Sequence, residues 1–367
     1  MGDGQSGAPQ DESTFCDQFA ATRHFAALDG LRGISVLFVV AFHVRNEPFW
    51  WLRGANGVRI FFVLSGFLIT TLCLREESSR GGVSLRGFFV RRSARILPLY
   101  TIALATYCFL VLVAHFDDRH DVFVSALPYY ASFLQEIPLF QNIDRPFGVS
   151  WSLGIEEKFY LLWPLIGFAI ARTFRSRITL IVLLGVAFFA SSLQWASGRY
   201  VSPYSDILIG CGLAVLLHNR TTCRKLAVLA YPAISTYAGI VLLAIMISPG
   251  QPPEWMGLLL PLAVAAMLPG LAIGAGLFSR LLDVRPLRWV GRVSYGIYLF
   301  HQLALKVGER IVPDDHLLWQ DLAVLAIGLA IILPTVALLN VFVEQPMIER
   351  GRQLSRRLLL RSSPEPA

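Results

Sequence analysis

The fold is decided by residues 28–44, which read LDGLRGISVLFVVAFHV. The apolar run is typical of a membrane-spanning helix, yet the segment contains Arg32 and has His43 near its end. Ionisable side chains are costly inside a bilayer, and where they occur they usually serve a function. Eleven helical steps place Arg32 and His43 on nearly the same face, roughly 16 Å apart along the axis. We therefore expect one helix to serve two positions at different depths.

The composition of the whole chain is that of a polytopic membrane protein. The 367 residues are 55% hydrophobic and only 16% charged, and the mean hydropathy is +0.57. Soluble domains carry about 25% charged residues. Apolar windows of about 20 residues, the length that crosses a bilayer, predict an all-α fold with ten transmembrane helices. Their centres lie near Val36, Val63, Ala105, Leu161, Gly185, Gly210, Ala238, Ala265, Leu299 and Ile331.

The distribution of basic residues predicts the topology. A further apolar stretch, 122–134, is short and contains Pro128. If it does not cross, most of the 32 Lys and Arg residues fall on one side of the membrane, which the positive-inside rule identifies as cytoplasmic. We therefore predict that both termini are cytoplasmic and that 115–150 is a long outer loop. The net charge of +7 is explained in this way and gives no indication of nucleic-acid binding.

The segments outside the spans carry weaker signals. We predict a disordered polar tail at 1–24, a membrane domain at 25–345 and a basic cytoplasmic tail at 346–367. The five cysteines show no paired spacing. Cys16 and Cys223 fall on the predicted cytoplasmic side, where thiols stay reduced. We therefore expect neither a disulfide framework nor a metal site.

Two carboxylates are predicted at the depth of His43. The fourth predicted helix begins outside with WSLGIEEKFY, residues 151–160, so Glu156 and Glu157 lie one to two turns below the outer surface. A carboxylate beside a neutral His43 would fix its tautomer and raise its basicity, as a general base requires. The alternatives are an interfacial ion cluster with Lys158 and a core histidine whose hydrogen bonds are satisfied.

The inner side has its own cluster of arginines. Arg92 and Arg95 share one helical face at i, i+3, and guanidinium groups match phosphate oxygens bidentately. With Arg32 deeper on the same path, they could hold a phosphorylated cytosolic donor. The alternative is that they only set topology or bind anionic lipids. Tyr298 and His301, at i, i+3 on the ninth helix, could line a cavity near mid-depth.

Five segments in this order resemble the acyltransferase-3 family of integral membrane acyltransferases. They are LDGLRG (28–33) with His43, GVRIFFVLSGFLI (57–69), RRSARILPLY (91–100), WSLGIEEKFY (151–160) and SYGIYLFH (294–301). The resemblance implies a bacterial inner-membrane enzyme that binds acyl-CoA, usually acetyl-CoA, from the cytoplasm. It also implies a sugar, glycan or glycosylated acceptor. The family's Arg-x10-His pair corresponds to Arg32 and His43, and its Arg-x-x-Arg pair to Arg92 and Arg95.

We therefore predict a membrane O-acetyltransferase involved in polysaccharide modification, with membrane lipid around it and no metal. Some family members carry a C-terminal esterase-like domain, which is not expected here. Others acylate small molecules such as macrolide sugars, so the acceptor class stays open, and the competing function is a transporter or flippase. The predicted site combines catalytic His43, Glu156 and Glu157; donor-binding Arg32, Arg92 and Arg95; and substrate-binding Tyr298 and His301.

Overall fold

The computed structural model describes residues 12–45, 48–137, 145–194, 202–247 and 257–361, and every regular element in these ranges is a helix. In chain order the α-helices are α1 Glu12–Ala21, α2 Ala26–Phe42, α3 Ala55–Arg80, α4 Leu85–Cys108, α5 His120–Ala131, α6 Trp151–Pro164, α7 Phe174–Gln194, α8 Ser202–His218, α9 Arg220–Leu226, α10 Pro232–Ile247, α11 Leu259–Ala272, α12 Leu277–Leu282, α13 Arg285–Arg292, α14 Ser294–Ile311, α15 Leu318–Leu339 and α16 Gln345–Arg361. Short π-turns extend α4, α6 and α15, over Phe109–Val113, Leu165–Ile170 and Asn340–Glu344. Short 3₁₀ turns lie at Trp50–Leu52, Gly148–Ser150 and Ala227–Ala230.

The ten apolar windows predicted from the sequence all have their centres inside helices, namely α2, α3, α4, α6, α7, α8, α10, α11, α14 and α15. Within the described ranges, four helices are long and apolar enough to cross a membrane, and two bent pairs raise this number to six. Helices α8 and α11 are shorter apolar helices. Within the described residues the predicted all-helical fold is confirmed, with several apolar helices fit for membrane spans, whereas ten crossings and the location of the termini stay predictions.

Helix α5 occupies the stretch for which the sequence predicts no crossing. It has 12 residues, which amounts to about 18 Å of helix, and the hydrocarbon core of a bilayer is about 30 Å thick. This helix is therefore too short to span a bilayer.

Glycines allow the helices around the site to approach one another closely. A Cβ added to Gly66 of α3 would lie 1.9 Å from the Ile207 carbonyl oxygen of α8, and one on Gly210 would lie 2.1 Å from the Val63 oxygen. Likewise, a Cβ on Gly291 of α13 would lie 1.7 Å from the Asp29 oxygen of α2. Backbone-to-backbone packing of this kind is typical of membrane helices, and it holds α3 against α8 and α2 against α13.

The predicted disordered N-terminal tail is wrong for residues 12–21, which form α1; residues 1–11 lie outside the described residues. Phe15 and Phe19 are buried, and the Arg75 guanidinium donates to the Phe19 carbonyl oxygen at 3.0 Å. Two phenylalanines at i, i+4 on one helical face supply an apolar stripe. That stripe binds the segment to the bundle despite its polar composition.

The prediction that no disulfide forms is also wrong. Cys16 of α1 and Cys223 of α9 are bonded at 2.06 Å, although 207 positions separate them in the sequence. The two cysteines meet because α1 packs on α9, a tertiary contact that no local spacing reveals. Their predicted placement on one side of the membrane agrees with this bond.

The predicted C-terminal tail is helical as far as Arg361, where the described residues end. Helix α16 lies along α4, and the Arg91 guanidinium donates to the Ser355 hydroxyl at 2.7 Å. This packing brings Arg352 to the lining of a cavity between the helices.

Candidate active site

A cavity of about 510 Å³ lies between α2, α3, α4, α6 and α14. Its size is that of a typical small-molecule or cofactor site. A second cavity of about 460 Å³ adjoins it at the arginine-rich end of the bundle. The two share lining residues, namely Leu72, Arg75, Arg92, Arg95, Ile348 and Arg352. Together they form an elongated space that begins among arginines and ends inside the bundle.

Three arginines predicted from the sequence meet at the inner cavity. Arg32 of α2 and both Arg92 and Arg95 of α4 line it, which confirms that the two segments lie together. No ion pair within the described ranges involves any of the three. The Arg92 guanidinium lies 5.4 Å from the centre of the Tyr160 ring. Their positive charge is therefore available to an anionic ligand.

Arg32 is held without a carboxylate partner in the described structure. Its Nη2 donates to the Ser294 hydroxyl at 3.4 Å, its guanidinium lies 5.8 Å from the Phe61 ring centre, and its buried Nε has no hydrogen-bond partner. A buried donor without a partner is costly, so this group is suited to a ligand that brings an acceptor.

The two predicted carboxylates also line this cavity. Glu156 accepts a hydrogen bond from the Tyr160 hydroxyl at 2.7 Å and one from the Ser65 hydroxyl at 3.3 Å. The Ser65 and Tyr160 oxygens are themselves 3.2 Å apart. The Oε1 atom of Glu157 is buried, and no hydrogen-bond partner for it occurs in the described structure. The site thus combines a pair of carboxyl groups with the three arginines.

His43 lies elsewhere, against His301 of α14. The two rings have centres 4.9 Å apart, and the His301 Nε2 is 3.4 Å from the His43 Nδ1. The same His43 Nδ1 is 2.8 Å from the Val39 carbonyl oxygen. Neither histidine lines the cavity. His301, predicted to line a cavity, instead lies against His43.

Tyr298 lies between the cavity and the two histidines. Its side chain lines the cavity, and its ring centre is 5.8 Å from that of His301. The Tyr298 hydroxyl accepts from the Ser152 hydroxyl at 2.8 Å and donates to the Val149 carbonyl oxygen at 2.6 Å. This side chain therefore closes the cavity at the end nearest the histidines.

The sequence analysis expected the carboxylates beside His43; in the described structure Glu156 and Glu157 line the cavity, whereas His43 lies against His301. The oxygens of Glu156 are hydrogen-bonded to Ser65 and Tyr160. The reason lies in how α6 begins: Ser150, directly before the helix, is 0% exposed, so the helix starts inside the bundle rather than at its surface. Glu156 and Glu157 consequently lie inside the bundle, where they line the cavity.

Sequence analysis did not single out Ser65, Ser152 or Tyr160, polar residues that line the cavity. They appear there only within the segments 57–69 and 151–160. The i, i+4 spacing of Glu156 and Tyr160 would have indicated their contact. The contribution of Ser65 depends on the close approach of α3, for which the sequence gives only the neighbouring Gly66.

Comparisons with known proteins agree with this architecture. A family model described as an acyltransferase domain, acyltransferase 3, matches residues 25–341. A putative peptidoglycan O-acetyltransferase, YrhL of Bacillus subtilis (strain 168), is 30% identical, over 92% of this chain and 57% of its own length. The peptidoglycan O-acetyltransferase OatA of Listeria monocytogenes is 28% identical, over 90% of this chain and 56% of its own length.

A putative O-acetyltransferase of Staphylococcus aureus (strain COL), SACOL0978, is 24% identical over 91% of this chain and 59% of its own length. This chain therefore spans somewhat more than half the length of these relatives. No solved structure matches.

Proposed function

Because the chain belongs to the acyltransferase-3 family, we propose that it is a membrane O-acetyltransferase acting on a glycan. It would take an acetyl group from acetyl-CoA, or another acyl group from its CoA ester, and transfer it to a sugar hydroxyl. The observation that carries the proposal is the convergence of Arg32, Arg92 and Arg95, free of carboxylate ion pairs in the described structure, on a cavity beside Glu156 and Glu157. The glycan acceptor is inferred from the similarity to peptidoglycan O-acetyltransferases.

The donor would enter from the arginine-rich end, which we assign to the cytoplasm by the positive-inside rule. Guanidinium groups bind phosphate oxygens with two parallel hydrogen bonds, and CoA carries several phosphates at one end of a long arm. The cavity at the mouth, of about 460 Å³, would take the phosphorylated end. Arg92 and Arg95 line both cavities, so they are suited to hold the phosphates while the arm reaches inward.

The inner cavity would receive the thioester. Arg32 and the Tyr160–Glu156 pair line this space, and fixed donors beside a reacting carbonyl stabilise the negative charge that develops on its oxygen. Glu156 and Glu157 lie in the same lining. In this proposal the carboxylates act on the donor side, and His43 acts on the acceptor.

His43 would be the general base for the acceptor hydroxyl. A carbonyl oxygen can only accept, so the Nδ1 atom of His43 carries the hydrogen that is donated to Val39 at 2.8 Å. The lone pair of the neutral ring is then on Nε2, which can take the hydroxyl proton. The acceptor oxygen bonds to the acyl carbon, the carbon–sulfur bond breaks, and the proton passes to the CoA thiolate.

The test is CoA release by the purified protein in detergent, with acetyl-CoA and soluble peptidoglycan fragments as probes. Wild type should release free thiol and give fragments that are heavier by one acetyl group. Because general base catalysis contributes roughly 10²–10⁴-fold, His43→Ala should lose most of this transfer. His316→Ala, which changes an exposed histidine, is the matched control and should behave as wild type.

Two outcomes would contradict the proposal. Transport of the fragments into vesicles without CoA release would favour a transporter. Near-wild-type transfer by His43→Ala would exclude this residue as the base. Acetylation of small hydroxylated compounds in preference to the fragments would instead correct the acceptor class.

A further inference from the structure

The hydrogen-bonding pattern around His301 leaves only one consistent tautomer. The ring is fully buried, at 0% exposure, and its Nδ1 lies 2.7 Å from the Tyr298 carbonyl oxygen. Since the carbonyl can only accept, Nδ1 carries the hydrogen and Nε2 carries the lone pair. That lone pair is directed at the His43 Nδ1, 3.4 Å away.

The pattern at His43 is complementary. Its Nδ1–H lies within reach of two acceptors, the Val39 carbonyl oxygen at 2.8 Å and the His301 Nε2 at 3.4 Å. Both acceptors are neutral groups. The Val39 and Tyr298 carbonyls thus select tautomers in which the His43 Nδ1–H is a donor and the His301 Nε2 is an acceptor. The contact between the two rings needs the same donor and acceptor.

We propose that His301 is a positioning residue for His43, an inference that rests on the proposed function. Its Nε2 accepts from the His43 Nδ1–H, which keeps the ring in the tautomer whose Nε2 can take a proton. When His43 receives the acceptor's proton, the imidazolium strengthens this contact, because hydrogen bonds to charged groups are roughly twice as strong as neutral ones. A neutral imidazole thus takes the role for which the sequence analysis predicted a carboxylate.

Removal of either histidine would take a hydrogen-bond partner away from the other. Without His43, the Nε2 of His301 would be a buried acceptor with its neighbouring donor removed, and leaving such a group unsatisfied is costly. Without His301, the imidazolium of His43 would keep only the Val39 carbonyl of its two Nδ1 acceptors. The contact between the two histidines therefore joins the end of α2 to α14, at the end of the cavity that Tyr298 closes.

The test compares His301→Asn with His301→Gln. Both amides can donate to the Tyr298 carbonyl or accept from His43, but only the longer Gln side chain extends to the position of the imidazole Nε2. The Asn variant should lower kcat roughly 10–100-fold, the range expected for a hydrogen bond to a charged group, with the KM for acetyl-CoA unchanged within about twofold. The Gln variant should recover most of the lost kcat.

The control variant is Gln302→Leu, at the next position of α14, which should keep wild-type kinetics. The thermal unfolding midpoint of each variant is measured as well. A variant that loses the fold has a lower midpoint, whereas one that loses only the positioning of His43 has a lower kcat with an unchanged midpoint. Equal kcat for Asn, Gln and wild type, with His43→Ala inactive, would overturn the inference and leave the proposed function standing. An active His43→Ala would overturn the role of His43, and with it the inference.

Discussion

Gly66 offers the sharpest test of how the site is built. The residue follows Ser65 on α3, at the point where this helix touches α8. A Cβ added there would lie 1.9 Å from the Ile207 carbonyl oxygen, 2.9 Å from its carbon and 3.1 Å from the Cys211 nitrogen. These are backbone atoms, which cannot swing aside like the end of a side chain. The Gly66→Ala variant must therefore move one helix.

The size of that movement follows from contact distances. Carbon and oxygen atoms approach to about 3.3 Å in favourable contacts, so α3 and α8 must separate by roughly 1.4 Å at this level. Overpacking typically costs 1–3 kcal/mol. Because the clash is with backbone atoms, we expect a cost at the upper end of this range, about 3 kcal/mol. Replacing Gly by Ala returns about 1 kcal/mol of helix propensity. We expect a net loss of about 2 kcal/mol in the free energy of unfolding.

The same separation of α3 and α8 should also lower the rate of acetyl transfer. The Ser65 hydroxyl donates to Glu156 at 3.3 Å, and a shift of more than 1 Å takes that pair out of hydrogen-bond range. Misplacement of about 1 Å can cost roughly 10²-fold in rate. Acetyl transfer by Gly66→Ala should therefore fall more than its stability alone predicts.

The assay is a thermal melt in detergent, paired with the CoA-release measurement. The control is Gly185→Ala on α7, where an added Cβ has no atom within 4 Å. This control should keep or raise the melting midpoint, whereas Gly66→Ala should lower it by at least about 3 °C. A Gly66→Ala protein that melts at or above wild type would refute the close packing of α3 on α8.

Two further predictions concern the donor and the disulfide. Arg92→Ala and Arg95→Ala should each raise the KM for acetyl-CoA by roughly 10-fold or more while leaving the acceptor KM nearly unchanged; a larger effect on the acceptor in steady-state kinetics would contradict the donor assignment. In a chain whose other cysteines are serine, Cys16 and Cys223 should react with a maleimide only after reduction. An impermeant maleimide should then label them in inverted vesicles, and labelling in right-side-out vesicles would contradict the predicted topology.

The sequence predicts the helices of this protein well because each apolar window must satisfy its own backbone hydrogen bonds in lipid. Every predicted centre lies inside a helix. The convergence of Arg32 with Arg92 and Arg95 was also predictable, since topology assigns both segments to the basic side and phosphate chemistry assigns them one role.

Depth across the bundle could not be predicted in the same way. The sequence locates a residue relative to its own helix ends, but α6 starts from a turn at Gly148–Ser150 that is largely buried, so the start of this helix does not mark the surface of the bundle. The Cys16–Cys223 bond was missed for a related reason, because it depends on α1 docking against a helix 207 positions away. Both errors concern how elements are placed against each other.

The hydrogen bonds of Tyr298 bear on how tightly the membrane is sealed. A protein that passes acyl groups between two compartments must not pass protons or ions while it waits. The Tyr298 hydroxyl is tied to Ser152 and to the Val149 carbonyl, and releasing both bonds costs about 1–3 kcal/mol. At that cost the closure is open on the order of 1–10% of the time. Turnover and the electrical insulation of the membrane would then both depend on the Tyr298 hydroxyl. A variant in which this closure opens more often would turn over faster but would also let more protons and ions cross.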